Sequence, residues 1–592
     1  MTLLNFFKER LTLFLAVLFP VYMFFLHAPF EMYLTNTDSF WFKLSDFGWS
    51  IVAMFGLVFG ILLLIGFFLP KKLRDIYSVI GFAGGLLVYI QGNFLNIDLG
   101  SINGSEVIWS DYTAKFIINI IIWITIIIIS LALYFVFKTK AVKIISLICT
   151  FVLLIQMVTL GTLFINYSAP STDETTAQLE YAVTDKDLYT VSKNQNVIVM
   201  LLDMFDNEYM RKILDSNPET KETFKDFTFF DNAVGSYSTT CYCVANLLTG
   251  NTVNNQGSDF NESVEIAYKD TKMFDDLLAN DYLLDIYIAD GYIPLELRQN
   301  SNNYETTQVE VCDYSQLTRK LYRLVGCRFA PDYFKKYYWM NGTEFAELKT
   351  LKNSENKAYS DKNLDFYNGL VQNGLKTSED KRFKFIHLIG THYPYEINSN
   401  LESIPATSSN QQAVDTAKGV LKIVSTYIEE LKNNGAYDNS TIVLIADHGF
   451  YLEGVLTNPL IMIKQPNTDA PFEISQAPVS HYDLHATIMK SIGLNDSNKY
   501  GKSMFDISPN EERERIFYQY NLNEGSIDTK FRLIEYSVSS SSNARKNFTP
   551  TGYEYDANGV KQNHTDSCAY CSKNGIKAVD APNSKLIPHN KK

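Results

Sequence analysis

The stretch Asn196–Asp206, NVIVMLLDMFD, decides how this chain is read. Its apolar run, Val197–Leu202, reads as a strand covered by helices on both faces of a sheet. The run ends at Asp203, and a carboxylate at the carboxyl edge of an open α/β sheet stands where such sheets bind ligands. Leu284–Ala289, Phe383–Leu388 and Thr441–Ala446 are runs of the same kind. Helical periodicity lies between them, and Asp415–Asn433 reads as an amphipathic helix leading into the last. Residues 194–507 are therefore expected to form one α/β domain with a largely parallel sheet. Residues 508–592, richer in Asn, Ser, Lys and Gly, read as an extension packing on that domain or trailing from it, with a strand such as Lys530–Val538.

Working back toward the amino terminus, the pattern changes at residue 168. Five earlier stretches approach the roughly 20 apolar residues that cross a bilayer: Leu11–Phe30, Trp49–Leu69, Tyr77–Gln91, Phe116–Phe137 and Ile144–Ile165. The first is no cleaved leader, because four more follow it and no small-residue cleavage site stands out. Lys8 and Arg10, then Lys71, Lys72 and Arg74, then Lys138, Lys140 and Lys143 fall in alternate loops, whereas Glu31–Gly48 and Asn96–Lys115 carry little positive charge. Basic loops stay cytoplasmic, so five spans place the amino terminus inside and everything after Tyr167 outside. Residues 1–167 thus read as a five-span module and 168–193 as a polar linker. Across all 592 residues, 65 acidic side chains against 52 basic ones give a net charge of −13. That excludes the basic face of a nucleic-acid binder. Aromatic residues at 14% exclude a disordered chain.

Of seven cysteines, Cys149 lies in the fifth span and six fall on the expected outer side. Disulfides persist there; Cys312 with Cys327 is the expected pair, each lying in a loop-like region. Cys568 and Cys571, in a CxxC without a second CxxC to complete a metal site, also read as a disulfide.

Four places join reactive groups to strand ends. Asp203 is the first. Asp447-His448-Gly449 directly follows the strand Thr441–Ala446, so an acid and an imidazole can reach one metal ion while glycine turns the chain away. Gly235–Gly250, GSYSTTCYCVANLLTG, is a hydroxyl- and thiol-rich loop before an apolar helix. His387–Tyr395, HLIGTHYPY, again follows a strand. Singly, each has a plain explanation: a turn or cap for Asp203, chance for DHG, a packed loop histidine, a helix cap for the hydroxyls. Their order along one sheet carries the case.

On these motifs the chain resembles the alkaline phosphatase/sulfatase superfamily, and more narrowly its membrane-anchored branch of lipoteichoic acid synthases and phosphoethanolamine transferases. The resemblance implies a helical membrane module of about five spans followed by an extracellular α/β domain of alkaline-phosphatase/sulfatase type. Asp203 matches that branch's first metal-binding acid, more often Glu. Laying the end of the sulfatase motif C-x-P-S-R-x-x-L-x-T-G on Leu247, Thr249 and Gly250 places the nucleophile at Thr240. The transferases use Thr there, commonly with Ser and Pro where this chain has Cys243 and Ala245. Asp447 and His448 match the metal-binding Asp-His pair, and His392 the histidine that contacts the transferred phosphoryl or leaving group. His387 sits where relatives have HLxGSH. Asn458–Lys464, Ala477–Ile488 and Gly501–Ser503 resemble structural elements of the family, so His481, Asp483 and His485 are expected to be structural.

The resemblance implies one divalent cation, manganese or zinc with magnesium also allowed, on Asp203, Thr240, Asp447 and His448. Such an ion would ease loss of the Thr240 proton. Thr240 would then attack a membrane phospholipid, releasing diacylglycerol and leaving a phosphothreonine. His392 would assist phosphoryl or leaving-group oxygens before a cell-surface glycan or glycolipid takes the head group, phosphoglycerol or phosphoethanolamine. The rivals are a sulfatase-like ester hydrolase, disfavoured because Thr cannot become formylglycine, and an inactive membrane scaffold. Arg298 and Arg328 are available to phosphate but read equally well as solvated.

Overall fold

The computed structural model describes residues 3–563 except 38–39, 98, 100–106, 108, 168–179, 258–259, 270, 289–291, 341, 353, 408, 450–457, 495, 521–532, 540, 543–546 and 557. The chain divides into two compact units, Met1–Gln178 with Gln308–Lys352, and Leu179–Thr307 with Asn353–Lys592.

In the first unit five helices are long and apolar enough to cross a membrane: Arg10–Leu34, Leu44–Phe68, Lys71–Phe94, Trp109–Phe137 and Thr139–Asn166. Four of them contain an expected span and extend it; the second begins before Trp49 and ends at Phe68, one residue short of the expected Leu69. The third is the least apolar of the five, and its Val79, Phe82, Ala83 and Leu87 are buried. Gly81 and Gly85 let the first helix approach it; a Cβ on Gly81 would stand 3.1 Å from the Ala16 carbonyl carbon, and one on Gly85 would strike the Phe19 ring. Small residues on one face are how apolar helices gain van der Waals contact where no hydrophobic force separates protein from lipid. Ile117, Ile118, Ile121 and Ile124 of the fourth helix are instead exposed, the surface expected of a helix that faces acyl chains.

Residues 308–352, which the sequence reading left inside 194–507, group with these helices. Their main element is the helix Tyr314–Phe329. Its Leu317, Leu321 and Leu324 join a core with Phe30, Phe42 and Phe47. Ser50 and Thr318 hydroxyls lie 2.6 Å apart, and Trp41 Nε1 donates to the Phe345 carbonyl at 3.1 Å. The expected Cys312–Cys327 bridge is absent: both thiols are free. Cys312 precedes this helix and Cys327 sits in its last turn, so roughly 20 Å of helical rise separates them. Arg328, left open as a phosphate ligand, pairs with Glu31 at 3.2 Å.

The second unit is built on a seven-stranded sheet. From edge to edge the strands are Glu473–Ser475, Phe227–Phe230, Ile461–Lys464, Ser440–Ile445, Asn196–Leu202, Lys381–Leu388 and Tyr282–Tyr287. Only Ile461–Lys464 runs against the rest. Side chains alternate between two cores. Val197, Val199, Leu201, Phe383, Phe385, Val443 and Ile445 face one, shared with the helix Thr240–Thr249. Ile198, Met200, Leu202, Ile386, Leu388, Ile442 and Leu444 face the other, shared with the helix Asn410–Asn433. Burial on both faces is why these strands read as unbroken apolar runs rather than alternating ones. The expected linker contains two short strands, Glu180–Val183 and Thr190–Ser192. Past residue 508 an antiparallel sheet of four strands runs Arg515–Tyr520, Leu533–Val538, Thr549–Tyr555 and Lys561–Asn563. Cys568 and Cys571 lie outside the described residues.

Candidate functional site

Strand register and side-chain parity assemble the site. Leu201 lies opposite Ile445 on one neighbouring strand and His387 on the other. Two residues beyond Leu201 and Ile445 come Asp203 and Asp447, so two carboxylates leave adjacent strand ends level with each other. Continuing the odd-numbered face, Asp203, His387 and Asp447 turn toward the side of the sheet on which the helix Thr240–Thr249 packs.

That helix begins at Thr240, after Thr239 in extended backbone. The preceding loop is held by the carboxyl-terminal extension: Ser238 N donates to the Tyr518 carbonyl at 3.1 Å, and Tyr518 N to the Ser236 carbonyl at 2.8 Å. Thr240 Oγ1 stands 3.5 Å from His448 Nε2. The other ring nitrogen, Nδ1, lies 3.1 Å from the Gly449 carbonyl. A carbonyl only accepts, so Nδ1 carries a hydrogen and Nε2 is the ring nitrogen turned toward the site. Gly449 is required by packing: a Cβ would come 2.8 Å from Asn458 N and strike the Asp206 carboxylate.

Asp203, Asp447 and His448 each offer a ligand atom within 4.8 Å of the other two, and all three are buried. Asp203 Oδ1 and Asp447 Oδ2 are buried without a hydrogen bond. Two carboxylates that close, each with an orphaned oxygen, leave a deficit of positive charge that a divalent cation would fill. The donor set of two carboxylates, an imidazole and a nearby hydroxyl fits such an ion. Burial and the Asp203 charge push the Asp447 carboxyl above the ordinary carboxylate range, outweighing His448, Thr240 and the Met204 amide. Asp203 is the opposite case. Burial again opposes its charge, but the imidazoles of His392, His387 and His448 together bring it below its ordinary value.

The other residues brought to the site are fixed through main chain. Met204 N donates to Asp447 Oδ1 at 3.1 Å from a residue with φ of +57°. A left-handed methionine beside two acids is backbone strain held at the site by its surroundings. Gly390, φ +56°, lets the loop after the strand Lys381–Leu388 fold onto Asp203; a Cβ there would lie 2.7 Å from the Asp203 carbonyl oxygen. Thr391 N donates to that same carbonyl at 2.8 Å. The next residue, His392, is half-buried, its Nδ1 2.6 Å from the Tyr393 carbonyl.

Sequence reasoning gave two residues no role that they have here. His387 Nε2 lies 3.3 Å from Asp203 Oδ2 and is buried; its signal was the odd parity it shares with Phe383 and Phe385. Cys243 Sγ donates to the Asp447 carbonyl at 2.7 Å and lies 3.2 Å from His481 Nδ1. His481, Asp483 and His485 sit behind the site. Burial holds the His481 imidazole down to about 3, so it is neutral. Asp483 receives Arg513 at 2.8 Å, and His485 Nε2 donates to the Leu247 carbonyl at 3.0 Å.

A carboxylate-and-histidine centre at the carboxyl edge of a mostly parallel sheet, with a hydroxyl at the start of the helix packed beside it, defines an α/β domain of sulfatase type. The sequence model described as Sulfatase matches residues 195–494, and the chain belongs to that family, within the alkaline phosphatase/sulfatase superfamily. No curated protein matches it in sequence. Among solved structures it is similar to the lipoteichoic acid synthase LtaP from Listeria monocytogenes, at 13% identity over 70% of this chain and 95% of that one, TM-score 0.34. It is also similar to a phosphonate monoester hydrolase from Silicibacter pomeroyi, at 14% identity over 64% and 92%, TM-score 0.34. A protein of the alkaline phosphatase superfamily from Vibrio parahaemolyticus shares 12% identity over 69% and 89%, TM-score 0.33.

Proposed function

We propose that this protein is a membrane-anchored phosphotransferase that moves a phospho-head group, phosphoglycerol or phosphoethanolamine, from a membrane phospholipid to a cell-surface glycan or glycolipid. The observation that carries the reading is the Thr240 hydroxyl standing 3.5 Å from His448 Nε2, at the edge of a buried Asp203–Asp447–His448 cluster. Asp203, Thr240, Asp447 and His448 would hold a divalent cation, manganese, zinc or magnesium, which when bound supplies charge neutralisation for a phosphodiester and lowers the threonine's pKa.

The chain's own groups do the rest. Thr240 Oγ gives its proton to solvent and attacks phosphorus, the bond from phosphorus to the diacylglycerol oxygen breaks, and the head group stays on Thr240 as a phosphodiester. His392 sits beside Asp203, half-exposed, where it can give a proton to the departing oxygen. An acceptor hydroxyl then gives its proton to His392 and attacks the same phosphorus, and the bond from phosphorus to Thr240 Oγ breaks, the threonine taking a proton back from solvent. Cys241, the neighbour a sulfatase reading would use, is a poor substitute, because burial pushes its thiol up to about 11. The five apolar helices have a direct use here: they tether the site to the bilayer that holds its donor, with the second unit on the extracytoplasmic side by the distribution of Lys and Arg.

The test follows diacylglycerol release from fluorescent phosphatidylglycerol and phosphatidylethanolamine by the full chain with manganese or zinc. Thr240→Ala should abolish release, and the mass added to wild-type Thr240 should name the head group. Equal turnover by the two proteins refutes the transferase reading and leaves the scaffold.

A further inference from the structure

Residues 332–339, DYFKKYYW, follow the helix Tyr314–Phe329 and begin with a short 3₁₀ turn, Asp332–Tyr337. The pattern of burial in this turn is reversed from that of a protein surface in water. Asp332 and Lys335 are 2% and 1% exposed, whereas Tyr333, Phe334 and Tyr337 are 42%, 47% and 66% exposed. The buried charges are fully engaged within the helical unit. Lys335 Nζ is 3.2 Å from Asp332 Oδ1 and donates to Asn96 Oδ1 at 3.0 Å. Gln91 Nε2 donates to Asp332 Oδ1 at 2.9 Å, and Asp332 N to Asn119 Oδ1 at 3.1 Å. Charges turned inward and large rings turned outward are what a lipid environment selects, since an unpaired charge is costly there and an aromatic ring is not.

Depth follows from the same contacts. Asn119 lies three residues inside the helix from Phe116, about 4.5 Å further along its axis. The turn bonded to Asn119 therefore sits at the level where that helix becomes continuously apolar. Tyr333 meets the Phe116 ring edge to face, at 6.5 Å between centroids. Phe116 also neighbours Trp109 and Tyr112, at 6.3 Å each, and Trp109 meets Trp339 at 6.2 Å. These rings form one band, continuous with the exposed Ile117, Ile118 and Ile121 of the helix Trp109–Phe137. Lys336 Nζ lies over the Tyr333 and Tyr337 rings, 4.7 and 5.0 Å from their centroids, which leaves its charge beside the band.

We propose that Asp332–Trp339 is a membrane-interface anchor: Tyr333, Phe334 and Tyr337 enter the boundary between headgroups and acyl chains beside the fourth helix, and Lys336 meets lipid phosphate. The occupant is the bilayer itself. The proposal rests on the five apolar helices and on this geometry, and stands whether or not the head-group chemistry does.

The test uses the full chain in vesicles of three parts phosphatidylcholine to one part phosphatidylglycerol. In a Cys312→Ser background, Phe334→Cys and Tyr337→Cys carry an environment-sensitive fluorophore, as does Val371→Cys in the second unit. Spin-labelled lipid with the nitroxide near the headgroup should quench the first two at least twofold more than the third, with blue-shifted emission. Equal quenching and equal emission overturn the anchor and make the band a surface for a protein partner. Should the variants not fold, hydroxyl-radical footprinting of the wild type decides. Tyr337 should be oxidised at least fivefold less than Tyr553, 46% exposed in the second unit; comparable oxidation refutes the proposal.

Discussion

Asp447→Asn separates a metal-binding centre from a merely structural acidic cluster, because its effect on stability should change sign with the ion. Without a cation, Asp203 and Asp447 place carboxylate oxygens within 4.8 Å of each other. Two full charges at that distance repel by about 3 kcal/mol at an effective dielectric of ~20. His448, 3.4 Å from Asp447 Oδ2, recovers part of this. The upward displacement of the Asp447 carboxyl, driven by burial and by Asp203, means that the ionised form remains a net cost to the folded state at neutral pH. Asparagine keeps an oxygen to accept from Met204 N and removes one of the two like charges. Metal-free Asp447→Asn should therefore be more stable than wild type by about 1–3 kcal/mol. With manganese at a thousand times its dissociation constant, wild type should gain about 4.1 kcal/mol that the variant does not, so the order of stabilities reverses. The assay is urea unfolding of the full chain in detergent, in chelator and in manganese, followed by pulse proteolysis of the second unit, because all five tryptophans lie in the first. Metal-free Asp447→Asn at or below wild-type stability, or equal stabilisation of both proteins by manganese, would refute the reasoning.

Gly390→Ala should cost about 2–4 kcal/mol, combining the ~1–2 kcal/mol of a left-handed L-residue with overlap against the Asp203 main chain. It should also lower diacylglycerol release more than tenfold, because Asp203 and His392 move together; unchanged melting and turnover would show that the loop relaxes freely. Gly92→Leu should detach the helix Tyr314–Phe329 from the membrane helices, since even a Cβ would stand 2.9 Å from the far ring carbon of Phe329; the readout is faster proteolysis within 308–352, and a wild-type rate would contradict the packing. Lys464 is buried against the Tyr437, Asp438 and Ser440 carbonyls, and burial lowers its pKa from 10.5 to about 8. Between those values the unfolded chain binds the extra proton, so stability should rise with pH by up to about 3 kcal/mol. Lys464→Met should lack that rise, and parallel profiles for the two proteins would exclude it.

Much of this molecule was legible in one dimension, and the reason is local. A strand buried on both faces must be an apolar run, so Val197–Leu202 and its three counterparts announced themselves, as did the helices long enough to span a bilayer. Asp203 and Asp447 were legible because each ends such a run, and the end of a parallel strand is where a side chain can meet a ligand. Side-chain parity was legible too, yet it gains meaning only once the register sets Leu201 level with His387 and Ile445. Pairing across a sheet decided that, and with it the contact of His387 with Asp203, 184 residues apart. The same holds for Cys243 and the Asp447 carbonyl, 204 residues apart. No local pattern encodes which distant group will fill a donor's reach. The sequence alone also suggested that Cys312 and Cys327 pair, until a helix set between them held them apart. It left residues 308–352 in the α/β domain, because the apolar stripe of Tyr314–Phe329 shows only that it needs a partner surface. Tertiary packing supplied that surface as Phe30, Phe42 and Phe47, since hydrophobic burial fixes how much surface must be covered and leaves shape complementarity to choose what covers it.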